Sequence, residues 1–314
     1  MTLSVSIVMP VYNMERHVGR ALEALLALRV PDGLRVSLTV VDDASPDASM
    51  EVAGALLRDA PFPVQVLRHP VNLGRAMARN TGLASAAGDF VWFVDGDDPV
   101  PPGQLEAFAP AATQDVDIVV ADATGAAWSA GTGGVWAGPE AVEQFLFQRI
   151  RAHLSSKLIR RTLFDGLEFP PGRPHEDVAI CARLLRRARA VAFVTVPGSP
   201  VPAPRGPRPA VAGSPRVLDL YTGVLDACAV LAAEPGRAST AGLLHFRLRA
   251  GAMSVVEAAA RARAGASVVQ IVRRDLRLAD VAAAARHRLW AVAAGVLLIL
   301  AVPGWYARLH RLRR

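Results

Sequence analysis

Short apolar runs alternate, over the first two hundred positions, with longer stretches in which apolar residues recur every three or four places. Val5 to Val11, Leu38 to Val41, Val64 to Arg68 and Phe90 to Val94 have the length and the β-branched or aromatic content of strands. Between them, Glu15 to Leu28 places Val18, Ala21, Leu22, Leu25 and Leu26 on one helical face. Ser49 to Arg58 and Arg75 to Ala86 read as the next helices, with Asn13 as cap for the first helix and Ser49 or Asp47 for the second. Further along come a helix at Gln104 to Ala109, a strand at Val116 to Ala121, helices at Glu140 to Arg149 and Val178 to Arg189, and a strand at Val191 to Val196. Gly125 to Gly138 is a glycine-rich loop or hairpin. Strands alternating with helices predict an α/β fold with a mainly parallel sheet.

Each of the first four strands ends in polar groups: Tyr12 and Asn13, Asp42 and Asp43, His69 and Asn72, then Asp95, Asp97 and Asp98 around Gly96. In such sheets ligands sit in the crevice beyond the carboxyl ends of the strands. Three carboxylates within four residues repel one another unless a cation or hydrogen-bond donors compensate them. Oxygen ligands on a turn suit Mg²⁺ or Mn²⁺, which keeps one or two carboxylates and completes its shell with phosphate oxygens and water. A solvated acidic turn accounts equally for D-x-D-D in isolation. A second acidic pair, Glu176 and Asp177 in H-E-D, opens a helix, where the macrodipole alone favours acids. No G-x-G-x-x-G follows the first strand and there is no P-loop.

Composition narrows the class. The 314 residues are 52% hydrophobic and 20% charged, with a positive mean hydropathy, so the chain is globular and not disordered. Its net charge of +7 admits nucleic acid, an anionic membrane surface or anionic substrates. No interleaving of aromatic and basic residues of the single-strand-binding kind is present, and no zinc-finger spacing, so nucleic acid is not expected as a partner. Cys181 and Cys228 read as reduced thiols of a cytosolic chain, and no signal peptide is recognised at the start.

Four regions follow: an α/β domain at 1–200, a Pro/Gly-rich linker at 201–215, an Ala/Arg-rich helical region at 216–288 and an apolar segment with a basic tail at 289–314. Leu289 to Ala307 carries no charge, and nineteen residues at about 1.5 Å each come close to the thickness of a bilayer core. Arginines flank it on both sides, and Pro303-Gly304 can break it. The readings are a membrane-associating helix, spanning or interfacial, or a buried C-terminal helix; membrane association is the expectation.

Taken together, S-I-V-M-P-V-Y-N-M-E (6–15), V-V-D-D-A-S-P-D (40–47), N-L-G-R-A-M-A-R-N-T-G through F-V-D-G-D-D (72–98), S-K-L-I-R-R-T-L-F (156–164) and H-E-D (175–177) resemble glycosyltransferase family 2, the inverting transferases with a GT-A fold. The H-E-D region is similar to that of actinobacterial cell-wall polymer glycosyltransferases. The resemblance implies a nucleotide-diphospho-sugar transferase fold. It implies that Pro10, Val11, Tyr12 and Glu15 line the nucleotide, that Asp42 contacts the base with Asp43 close by, and that Arg79 approaches the diphosphate. Asp95 and Gly96 would face the donor, Asp97 would hold Mn²⁺ or Mg²⁺ with Asp95 and Asp98 beside it, and Asp177 would be the catalytic base with Glu176 its neighbour. Lys157 and Arg160 or Arg161 would either touch an anionic acceptor or form a solvated basic face. The implied activity is transfer to a lipid-linked or polymeric cell-envelope acceptor at the cytoplasmic face of the membrane. The rival readings are a catalytically silent, membrane-anchored nucleotide-sugar-binding module and a nucleotidyltransferase.

Overall fold

Val5 to Val11 is buried along its whole length, and this fixes it as an inner strand of a sheet covered on both faces. In the computed structural model, which describes residues 3–98, 100–122, 134–172, 176–196, 217–261, 266–303 and 306, it is the core of β1 (Leu3–Val11). The chain falls into two compact units, Met1–Gly138 with His153–Arg173 and Arg187–Pro202, and Pro139–Ala152 with Pro174–Arg186 and Ala203–Arg314.

In the first unit β1 is followed by α1 (Val18–Leu26), β2 (Leu34–Asp42), α2 (Ser49–Leu57), β3 (Val64–Arg68), α3 (Arg75–Ser85), β4 (Phe90–Phe93), α4 (Gln104–Phe108), β5 (Ile118–Asp122) and β6 (Val135–Ala137). The unit's remaining strands are β7 (Lys157–Arg160) and β8 (Ala190–Thr195); α5 (Gly138–Leu146) and α6 (Glu176–Arg187), which precede them in the chain, belong to the second unit in all but one residue each. The sheet order is β3-β2-β1-β4-β7-β5-β8-β6. β1 pairs in parallel with β2 and β4, β2 with β3, and β5 with β8; β7 runs antiparallel between β4 and β5, and β6 antiparallel on β8. The expected mainly parallel α/β sheet is present, with β7 as an added strand where the sequence pattern indicated none. Most of the expected glycine-rich loop, residues 123–133, lies outside the described residues.

The apolar contents of this unit gather on β4. Trp92 meets Phe108 edge to face at 5.6 Å, and Phe93 meets Phe169 at 5.3 Å. Burying each such ring contributes about 2–3 kcal/mol, and the Trp92 indole N–H keeps a partner by donating to the Ser155 carbonyl at 2.7 Å. Asn13 does not cap α1 as the sequence suggested. It adopts the left-handed conformation (φ 53°) that Asn tolerates, and the helix starts five residues later at Val18.

In the second unit the C-terminal region is helical, as expected: α7 (Val217–Ala232), α8 (Thr240–His245), a wider π-type turn at Phe246–Met253, α9 (Ser254–Arg261), α10 (Ala266–Asp275), α11 (Leu278–Arg286) and α12 (Trp290–Ala301). They share a core that includes Tyr221, Leu248, Val256, Val272, Val296 and Ile299. Among the described residues no helix is long and apolar enough to cross a membrane. The uncharged segment instead gives the twelve-residue α12, which buries Val292, Ala293, Gly295, Val296 and Ile299 against this core. Both cysteines are thiols and not disulfides, Cys181 buried and Cys228 half-buried.

Candidate active site

The acidic turn beyond β4 is tied to α3. Gly74 (φ 89°) ends the preceding loop in a conformation suited to glycine, and α3 then places Arg75 and Arg79 one turn apart. Arg79 is buried, and its Nη2 donates to Asp95 Oδ1 at 2.8 Å and to Oδ2 at 2.9 Å. Arg75, 41% exposed, donates to Asp95 Oδ2 at 3.2 Å. Asn80, next on the same helix, exchanges hydrogen bonds with the backbone of Phe169, whose ring lies under the Arg79 guanidinium. Gly82 lets α3 press onto β1, since a Cβ there would stand 2.3 Å from Val8 Cγ1.

Within the turn, the Asp98 N–H donates to the Asp95 carbonyl at 3.0 Å. Gly96 faces Met14; a Cβ there would lie 2.6 Å from its sulfur. Burial pushes the Asp98 carboxyl up to about 6, helped by the charges of Asp95 and Asp97 and opposed by a hydrogen bond from Ser155. Three carboxylates thus share this short turn, and like charges so close favour the protonated form of one of them.

The other strand ends are cross-braced. Val11 is buried at the end of β1, Pro10 lies beside Val41 in the β1–β2 register, and Tyr12, just beyond, is 42% exposed. Glu15 does not point its carboxylate away from the protein: it accepts from the Ala48 N–H at 3.3 Å, while its own N–H donates to Asp47. Met14 N–H donates to Ser49 Oγ at 2.7 Å, so the loop after β1 is fastened to the start of α2. Asp42 is buried, accepting from the Ser45 N–H at 2.8 Å and pairing with Arg68 at 3.1 Å. Asp43 is likewise buried, and it accepts from the N–H groups of Leu73 and Gly74 and faces His69 Nδ1 at 2.7 Å. His69 Nε2 reaches Thr81 Oγ1 at 2.9 Å. Asp43 thus serves as the anchor of the 69–74 loop. Thr81, Asn80 and Arg75 are the supporting residues that sequence reasoning did not single out, whereas His69 stood out there as a polar strand end.

Among the described residues no three His, Cys, Asp or Glu side chains converge as ligands of a metal ion. The expected trio of Asp95, Asp97 and Asp98 is not assembled, because both Asp95 oxygens are engaged by arginine. Asp97 and Asp98 do fit a hard divalent cation of the Mg²⁺ or Mn²⁺ kind, which needs only one or two carboxylates. Burial is the main cause of the raised Asp98 carboxyl, and the smaller share that comes from the charges of Asp95 and Asp97 is what such a cation would relieve.

The second acidic pair belongs to the other unit. Glu176 is buried and Asp177 half-buried at the first two positions of α6, and His175 lies outside the described residues. The basic residues after β7's start are used internally. Lys157 is buried and donates from Nζ to the His153 carbonyl at 2.7 Å. Arg160 pairs with Asp117 at the opposite end of β4 from the acidic turn, its strand partner being Phe90. Neither has the exposed cationic head expected of an acceptor-binding residue. Arg161, 41% exposed, stands 3.8 Å from Asp165.

Residues 6–158 match the model described as Glycosyl transferase family 2. The chain carries a glycosyltransferase family 2 domain. The uncharacterized glycosyltransferase EpsJ of Bacillus subtilis is 37% identical over 117 residues, which are 37% of this chain and 32% of EpsJ. Glycosyltransferase GlyG of Streptococcus pneumoniae is 26% identical over 207 residues, covering 60% of this chain and 67% of GlyG. The chain thus spans about a third of the length of EpsJ and two thirds of GlyG. In fold, the family 2 domain and its helical region resemble S. aureus TarS 1–349 in complex with UDP-GlcNAc, with a TM-score of 0.64 at 17% identity over 99% of this chain and 93% of that one. The mannosyltransferase PcManGT from Pyrobaculum calidifontis, in complex with GDP-Man and Mn²⁺, gives 0.56 at 16% identity over 98% and 86%. The fold is therefore that of the GT-A transferases.

Proposed function

We propose that this chain transfers a glycosyl group, with inversion, from a nucleotide-diphospho-sugar to a hydroxyl of a lipid-linked or polymeric cell-envelope acceptor at the cytoplasmic face of the membrane. The observation that carries the reading is the Asp95–Asp98 turn at the end of β4, where Arg75 and Arg79 hold Asp95 and the carboxylates of Asp97 and Asp98 stand beside it. Support for the donor comes from relatives of the same fold, described in complex with UDP-GlcNAc or GDP-Man. Support for the acceptor class comes from the succinoglycan biosynthesis protein ExoO of Rhizobium meliloti, 33% identical over 127 residues.

In this reading Tyr12 and the loop after β1 line the nucleotide, with Asp42 toward the base. Asp97, with Asp98 beside it, holds Mn²⁺ or Mg²⁺, which when bound neutralises charge on the diphosphate leaving group. Arg79 fixes Asp95, and the more exposed Arg75 offers its guanidinium to the same diphosphate. The Asp177 carboxylate takes the proton of the acceptor hydroxyl as that oxygen bonds to the anomeric carbon. The bond from that carbon to the diphosphate oxygen breaks, and its electron pair leaves with the nucleoside diphosphate. One displacement inverts the centre, and no covalent enzyme intermediate is required.

A panel of nucleotide sugars, assayed for hydrolysis and transfer with and without Mn²⁺, tests the proposal. Turnover of at least one donor, lost in Asp97→Asn and Asp177→Asn, is expected. Nucleotide-sugar binding without any turnover would favour a silent binding module instead.

A further inference from the structure

α12 has two faces, and both are apolar. One packs into the core of the helical unit through Val292, Ala293, Val296 and Ile299. The other is open to solvent and carries Trp290, Ala291, Ala294, Leu297, Leu298 and Ala301, with Val302 exposed just beyond the helix. The spacing of these positions is that of one continuous helical stripe, and it holds no polar residue. An ordinary surface helix sets its polar side chains there. Of the twelve large apolar side chains exposed among the described residues, six lie between Ile271 and Val302, so the exposure is concentrated in α10–α12. Trp290 is 65% exposed and Leu278, at the start of α11, 69%.

The charge beside the stripe is one-sided. Arg286, His287 and Arg288 form an exposed turn directly before Trp290, and Arg273, Arg274 and Arg277 are exposed on the segment before α11. Two acids, Asp275 and Asp280, fall in the same stretch, and Asp280 is already paired with Arg247. An apolar strip headed by tryptophan and bordered by arginine matches the layering of an anionic bilayer surface, with phosphate outermost and acyl chains beneath.

Helix length decides how such a surface is met. Twelve residues reach about 18 Å, well short of the roughly 30 Å of a hydrocarbon core, so a bilayer meeting α12 would meet it along its side and not be crossed by it. A second copy of the chain is the less suitable occupant. Four large side chains on one short helix fall far below the about 20–30 residues per side of a stable protein interface.

We infer that the solvent face of α12 is a membrane-docking surface, which lies flat on anionic phospholipid with the Arg286–Arg288 turn at the headgroups. The inference deepens the membrane placement in the proposed function, yet its test stands apart from the transfer chemistry, since none of these residues belongs to the acidic turn or to the start of α6.

The test is flotation of the full chain with phosphatidylcholine vesicles, with and without phosphatidylglycerol. Wild type is expected to float with the anionic vesicles and to be released by high salt. Binding by Arg286→Gln/Arg288→Gln should fall by about fivefold for each arginine removed. Leu297→Asp/Leu298→Asp should lose binding by more than about tenfold while staying folded at the assay temperature, because neither side chain is in the buried core. The inference is overturned if wild type fails to bind anionic vesicles or if the double aspartate variant binds as well as wild type. It is also overturned if light scattering shows a wild-type dimer that this variant converts to monomer, which would make the stripe a contact between copies.

Discussion

Arg79 Nη2 contacts both carboxylate oxygens of Asp95, at 2.8 and 2.9 Å, in a setting where the arginine side chain is 4% and the aspartate 13% exposed. This one contact joins α3 to the end of β4 and sets the position of the carboxylates that follow. Removing one member of such a buried pair typically costs about 3–5 kcal/mol, since the other charge is left without its counter-ion. Asp95 keeps Arg75 when Arg79 is removed, so Arg79→Met should lower stability by about 3 kcal/mol, the low end of that range, and Arg79→Lys by less, as one ammonium replaces a planar guanidinium. Thermal and urea unfolding of both variants measures the difference.

Asp43 makes a second prediction. Its carboxylate receives the Leu73 and Gly74 N–H groups and a ring nitrogen of His69, all within 2.8 Å. Asp43→Ala leaves these donors without an acceptor, at about 1–3 kcal/mol for each one that stays buried. Amide hydrogen exchange at Leu73 and Gly74 should accelerate in that variant while the exchange of β1 amides changes little.

Two glycines separate tight backbone packing from contact with an adaptable side chain. Gly82→Ala drives a methyl group to 2.3 Å from the branched Val8 inside the α3–β1 contact, and should cost about 1–3 kcal/mol. Gly96→Ala meets only the flexible end of Met14, so its effect on unfolding should be smaller. Equal melting temperatures for the two variants would contradict this ordering.

Asp117 links stability to pH. It is 3% exposed and held by Arg160 and Arg189 at 3.0 and 2.8 Å. Burial by itself would raise its carboxyl, but the Arg189 hydrogen bonds and charge, joined by Arg160, outweigh that and hold it below the ordinary value. The folded protein thus binds this proton less readily than the unfolded chain. The stabilisation is complete above the unfolded value of about 3.9 and is lost as pH falls through the lower folded one. Asp117→Asn should cost about 3 kcal/mol at pH 7, the low end for a buried pair because Arg189 is 66% exposed, and progressively less in acid. Urea unfolding at pH 7 and pH 3 measures both.

The alternation of strands and helices through residue 98 was legible because each strand is a short unbroken apolar run and each helix has its own period. β7 was not, since K-L-I-R is four residues with a charge at either end, and its register is set by β4 and β5 far away in sequence. The acidic turn was visible as a motif, yet nothing local shows that Asp95 is taken up by arginines sixteen and twenty residues earlier. Adjacent Asp42 and Asp43 look alike in sequence; only the folded loops separate a carboxylate paired with Arg68 from one that anchors residues 69–74. The C-terminal segment reads as membrane-associating from its length, its lack of charge and its flanking arginines. Its packing shows a helix that shares itself between a protein core and an open apolar face.

Under the proposed function the strand-end turn holds a nucleoside diphosphate through a divalent cation on Asp97, while Asp177 serves only the transfer step. Calorimetric titration of UDP and GDP into wild type, Asp97→Asn and Asp177→Asn, with and without Mn²⁺, tests it most directly. Metal-dependent binding of one nucleotide to wild type and to Asp177→Asn, and its loss in Asp97→Asn, is the predicted result. Binding that is indifferent to Mn²⁺ and unchanged in Asp97→Asn would contradict the account.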